Sequence, residues 1–100
     1  MNVEKEGGPS PRSCHKAVLH SSAGHIYVLG RYIDPERRET TAVPCDFYRY
    51  SLEAGQWTRL SVDVRAEGGP GCIYDHQMIV DEKEECIWVF GGRLLCGTNE

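Results

Sequence analysis

His76-Gln77-Met78-Ile79-Val80, then Asp81-Glu82-Lys83-Glu84-Glu85, then Cys86-Ile87-Trp88-Val89-Phe90-Gly91-Gly92 is the stretch on which the fold turns. Two apolar runs rich in β-branched and aromatic residues flank a charged tip. Each run is too short for a stable helix and reads as one strand of a hairpin. The same pattern stands 61 residues earlier: His76 falls on His15, Ile87 on Ile26, Val89 on Val28 and Gly91 on Gly30. Trp88 falls on Tyr27, Phe90 on Leu29 and Leu94 on Ile33, while Gly68-Gly69-Pro70 repeats Gly7-Gly8-Pro9. A repeat at this period signals modules that bury their apolar faces against neighbours, with function on the loops.

Working outward, His15–His20 and His25–Leu29 form the first hairpin around Ser21-Ser22-Ala23-Gly24. Phe47–Leu52 follows, with Tyr48, Tyr50 and Leu52 on one face. Glu53-Ala54-Gly55 turns the chain into Gln56–Leu60. The unit is four short strands, called a to d, before the hairpin pattern restarts. The segments are a charged tail over 1–6, a first repeat over 7–60, an inter-repeat loop over 61–75, and half of a second repeat over 76–100. Long connections run from Arg31 to Pro44 and from Ser61 to Tyr74. Loops of that length are usually functional or disordered.

Composition narrows the function classes. Eleven Lys and Arg against 15 Asp and Glu make a formal charge of −4, without the clustered basic surface of a phosphate-driven nucleic-acid binder. Arg37-Arg38 is too short to alter that and reads as solvated loop. No apolar run approaches the roughly 20 residues of a membrane span, and Met1–Glu6 lacks the apolar stretch of a secretory signal. The five cysteines, 14, 45, 72, 86 and 96, lack zinc spacing, and free thiols in a reducing compartment are expected.

Four-stranded units with a glycine doublet after strand b, and a Tyr–Trp pair bracketing the c–d turn, resemble kelch repeats, the blades of one β-propeller class. The doublet is Gly91-Gly92 and the pair Tyr50 with Trp57; in the first repeat Arg31 follows Gly30 where the second glycine is expected. Gly7–Lys16, Leu29–Tyr32, Asp46–Tyr50 and Asp75–Met78 closely resemble the propeller of the muskelin family, over about Gly7 to Leu95. That resemblance implies an intracellular, cytoplasmic or nuclear, non-catalytic scaffold. It would recruit substrates or partners to a CTLH-type ubiquitin ligase and act in cytoskeletal and adhesion responses. The fold expected is all-β, a kelch-type propeller fragment of about one and a half blades. Propellers close with four to eight blades, so such a piece alone is expected to be marginally stable.

Candidate site residues divide into two groups. His15, Gly30, Tyr50, Trp57, His76, Trp88, Gly91 and Gly92 are expected at structural positions of the repeat. Cys14 beside His15 suggests a thiol with its base. However, adjacent strand residues diverge, and the histidine recurs at 76 without the cysteine, which favours a strand-to-loop tie. His20 and His25 flank a turn and read as solvated, since two histidines make a poor metal site. Tyr27, Tyr50, Trp57 and Trp88 read as packing between blades, and Asp81–Glu85 as a solvated tip.

The b–c loop is the second group. Arg31, Tyr32, Asp34, Arg37, Arg38 and Glu39, with Arg93 at the repeat equivalent of Tyr32, combine the aromatic and guanidinium groups enriched at interfaces. The kelch resemblance implies that b–c and d–a loops share one binding face. The expected partners are proteins, ligase subunits or recruited substrates by resemblance, with self-association in addition. No nucleic acid, membrane insertion, metal or cofactor is expected. The competing class is a metal-dependent oxidase, which some kelch propellers are, and which needs convergent Tyr, His or Cys ligands. An incomplete chain without independent function is the third reading.

Overall fold

The computed structural model describes residues 3–10, 12–32 and 44–94. The chain is all-β, with one short 3-10 turn at Val64–Glu67 and no α-helix among the described residues. Strands β1 (Lys16–His20), β2 (His25–Leu29), β3 (Phe47–Ser51) and β4 (Gln56–Ser61) form one antiparallel sheet in sequential order. A second hairpin pairs β6 (Gln77–Asp81) with β7 (Cys86–Phe90), and β5 (Ile73–Tyr74) pairs β8 (Arg93–Leu94). The expected strands are all present, with ends moved by a residue: β1 begins at Lys16, β3 ends at Ser51 and β4 runs on to Ser61. His15 and His76 therefore precede their strands. Leu52 lies in the turn, 53 % exposed, and not on the buried face of Tyr48.

The repeat is written into the backbone. Left-handed φ angles occur in pairs 61 residues apart: Gly7 with Gly68, Cys14 with Asp75, Gly24 with Glu85, and Gly30 with Gly91. Two of these pairs place a non-glycine residue where a Cβ disfavours the conformation, so the shape is imposed by the module and not by local propensity. The pairing repeats too: the bridge Ser13–Tyr32 corresponds to Tyr74–Arg93, which joins β5 to β8.

One face of the four-stranded sheet meets the second hairpin, and the other is covered in part by Gly8 and Arg12. Leu29 and Phe47, opposite each other in register, face the second hairpin, where Leu29 clusters with Cys45, Cys72, Ile73 and Met78. Burying one such leucine contributes roughly 2 kcal/mol. The neighbouring pair, Val28 with Tyr48, turns to the opposite face. There Trp57 packs edge-on to Tyr48 at 6.4 Å between centroids, and Gly8 lies against Trp57 so closely that a Cβ would come within 2.9 Å of the indole. Arg12 reaches over Tyr48, 5.6 Å from its centroid, and grips Asp46 with both terminal nitrogens at 2.8 and 3.1 Å.

Candidate functional site: a loop rim and the seam behind it

The loop leaving β2 begins at Arg31 and Tyr32, and three contacts anchor it. The Arg31 N–H donates to the Ile73 carbonyl at 3.0 Å, and the Tyr32 N–H to the Ser13 carbonyl at 2.9 Å. The Tyr32 ring packs edge-on against Tyr74 at 5.0 Å. Arg93 is held opposite Tyr74 by the β5–β8 pairing. Thus Arg31, Tyr32, Tyr74 and Arg93 meet along one rim, with Arg93 exposed. Tyr74 is a rim residue that sequence reasoning missed, although its 61-residue offset from Ser13, the bridge partner of Tyr32, could have found it. The remaining loop candidates, Asp34, Arg37, Arg38 and Glu39, lie outside the described residues, as does Cys96.

Behind the rim runs the seam between the two modules. His76 is fully buried, and neither ring nitrogen has a hydrogen-bond partner. Burial pushes its pKa below the ordinary 6.5, and the Lys16 charge adds to that. The Leu29 backbone favours the cation, but not in acceptable hydrogen-bond geometry. His76 is closely approached by two glycines: a Cβ on Gly30 would stand 2.5 Å from the imidazole Cε1, and one on Gly92 would stand 2.8 Å from the His76 Cα. His76 is therefore a buried peg and not a hydrogen-bonding tie. His15, its repeat equivalent, is exposed, so the two do not share one role.

The tips of the two hairpins clasp each other. The Ser21 N–H and hydroxyl donate to Glu82 Oε2 at 3.1 and 2.7 Å, and those of Ser22 to Oε1 at 3.0 and 2.8 Å. The Ser21 hydroxyl and the other three donors hold the Glu82 pKa down at about 2. His20 is 4 % exposed; its Nδ1 accepts from the Ala23 N–H at 3.2 Å, which leaves Nε2 to donate to Glu85 at 3.0 Å. Two expectations are corrected here. His20 is not a solvated turn residue and the acidic tip is not merely solvated, because each lies against a neighbouring module that local sequence does not reveal.

The aromatic expectations divide. Tyr50 packs on Trp57 at 5.0 Å within the first sheet, and Tyr27 stacks on Phe47 at 5.8 Å. Trp88 is 57 % exposed and so is not buried between modules among the described residues, a correction to its expected place. A cavity of about 360 Å³ lies between the modules, walled chiefly by Tyr27, Phe47, Val64, Val80, Ile87 and Val89.

The described thiols are not activated. Burial pushes the Cys45 thiol up to about 12, with Cys72 adding to it, and burial raises Cys72 although Arg31 opposes it. Thiols so raised are poor nucleophiles. Cys14 is exposed in a left-handed bend. Cys14, Cys45, Cys72 and Cys86 are free thiols. Among the described residues, no three His, Cys, Asp or Glu side chains converge as metal ligands.

The class defined by the fold is an all-β module with a four-stranded antiparallel sheet and smaller sheets packed on it. No family model matches the chain. Over 94 residues, 90 % of its length, the chain is 40 % identical to Mei4-dependent protein 6 of Schizosaccharomyces pombe. It spans only 13 % of that relative. This finding overturns the muskelin assignment and what came with it: the kelch label, ligase recruitment and the cytoskeletal role. The name of the relative carries none of these, and it gives the oxidase alternative no support. Several residues of the strings that suggested muskelin have structural places here: Gly7 and Gly30 take left-handed φ, Tyr48 and Tyr50 pack on Trp57, Arg12 pairs with Asp46, and His76 is buried. Such places serve a fold and do not specify a function.

Proposed function

We propose that this chain is a non-catalytic, protein-binding β module, built as a blade and a half of a propeller-type repeat. The observation that carries the reading is the rim: Arg31, Tyr32, Tyr74 and Arg93 are brought together from two modules by repeated pairing. Aromatic and guanidinium groups on a rigid scaffold suit a partner that presents carboxylates and flat apolar surface. The sequential four-stranded sheet, with a second hairpin packed on its face at the same 61-residue offset, supports the propeller-type architecture. The segments 7–60 and 76–100 act as the repeat units. Four free thiols favour a reducing compartment.

A photoreactive phenylalanine analogue placed at Tyr32 and, separately, at Leu52 tests the function. Leu52 lies in the exposed β3–β4 turn. A discrete protein adduct from position 32, absent from position 52 and lost with Arg93→Glu, is expected. Equal adducts from both positions, or stoichiometric metal in the purified chain, would overturn the reading.

A further inference from the structure

Ser10 and Arg12 stand at places where the repeat does not require them. Their equivalents 61 residues on are Gly71 and Ile73, neither of which carries a polar side chain. In the first module the two make a polar contact instead. Arg12 Nη2 donates to the Ser10 Oγ at 3.2 Å, and Arg12 Nε donates to the Ser10 carbonyl at 3.1 Å. The Arg12 side chain is 4 % exposed, and its paired bonds to Asp46 fix the guanidinium in place. Ser10 is half-buried, in a stretch, residues 8–10, without regular structure. It borders a cavity of about 510 Å³ whose wall also carries Arg59, Tyr48, Asp46 and Glu4. Ser10-Pro11 is also the only place in the chain where a proline follows a hydroxyl residue. The proline disfavours helical backbone at Ser10 and keeps it extended, the form in which proline-directed protein kinases take a serine.

We propose that Ser10 is a phosphorylation site whose phosphate is held by Arg12, with Arg59 as the second cation. In the modifying step the Ser10 Oγ attacks the γ-phosphorus of ATP bound to a proline-directed kinase. The Oγ–P bond forms, the bond to the β-phosphate oxygen breaks and ADP leaves, while the hydroxyl proton passes to the kinase's catalytic carboxylate. The Nη2 hydrogen now aimed at Oγ then passes to a phosphate oxygen, and Asp46 keeps its bonds to Nη1 and Nη2. That bond joins full opposite charges, which suits a guanidinium already held in position. Arg59 is needed because the phosphate carries nearly two negative charges and stands near Asp46 and Glu4, while Arg12 is already paired. The modification thus acts as a clamp, tying the segment ahead of β1 to strand β4.

The test treats the purified chain with a proline-directed kinase and ATP, then titrates the phosphate by phosphorus NMR. Mass spectrometry should find one phosphate, on Ser10, and none in Ser10→Ala. The second pKa of that phosphate should lie about one unit below the ordinary value of about 6, a tenfold shift, because two guanidinium groups favour the dianion. Urea should return it to about 6, since the shift depends on the folded site. Arg12→Gln should remove most of the shift. Arg59→Gln, at an exposed position of β4, should remove roughly half of it, and it carries the test if Arg12→Gln loses its β circular dichroism. Absence of phosphate on Ser10 overturns the proposal. So does a phosphate that titrates near 6 before urea is added, or a lowered value that Arg59→Gln leaves unmoved.

Discussion

Gly30 and His76 touch across the seam, the glycine held at φ +91° with the imidazole Cε1 2.5 Å from where a Cβ would stand. The Ile73 carbonyl lies 2.4 Å from the same point, and its oxygen is backbone that cannot rotate away. Gly30→Ala should therefore destabilise the chain by about 3 kcal/mol, from left-handed strain plus overpacking. Gly91→Ala, at φ +70° with open space around it, should lose only about 1 kcal/mol. Urea unfolding of dilute protein separates the two; equal losses would show that the seam is not closed at Gly30.

Acid should weaken the seam through His76. Its folded pKa is lowered, chiefly by burial, so below about 6.5 the unfolded chain takes the proton first. Stability is complete above that value and falls as the pH drops through the window down to the folded pKa. His76→Met removes the group and both unpaired nitrogens, so the variant should lose this part of the acid sensitivity with little change at pH 8. Unfolding curves between pH 5 and pH 8 give the result, and an unchanged slope would refute the assignment.

The Arg12–Asp46 pair is the buried ion pair of the sheet's outer face, with side-chain exposures of 4 and 16 %. Burial opposes ionisation of Asp46, but the Arg12 hydrogen bonds and charge outweigh it and lower its pKa below 3.8. The stabilisation is thus present above the ordinary carboxylate range and lost as pH falls through the folded value. Asp46→Asn leaves Arg12 without its counter-charge and should cost about 3 kcal/mol at neutral pH. Chemical denaturation at pH 7 measures it.

The clasp predicts a titration. The Glu82 carboxyl should titrate near pH 2, and replacing both Ser21 and Ser22 by alanine should return the midpoint toward 4.5. Because the folded pKa is depressed, the contribution holds above about 4.5 and disappears as pH falls through about 2. Carbon-detected NMR of the Glu82 carboxyl reads the midpoint; a value near 4.5 in the parent chain would mean the tips are not joined in solution.

Strand positions, turns and the 61-residue offset were legible in the sequence. Five-residue β-branched and aromatic runs between Gly, Ser and Asp-rich turns determine local conformation from residues close along the chain. The left-handed backbone at Cys14 and Asp75 shows how far that offset reaches into the structure. What a side chain does at its repeat position was not legible, because that depends on whether a second module lies against it. His15 and His76 share a place in the pattern, yet one is exposed and the other fully buried. Leu29 and Phe90 divide in the same way. Glu82, an ordinary acidic residue in a hairpin tip, becomes the acceptor of four hydrogen bonds only because the Ser21–Ser22 tip is folded against it. Periodicity is a property of neighbours in sequence, and burial is a property of neighbours in space. The tertiary structure alone decided which face of each module is the seam and which is left open.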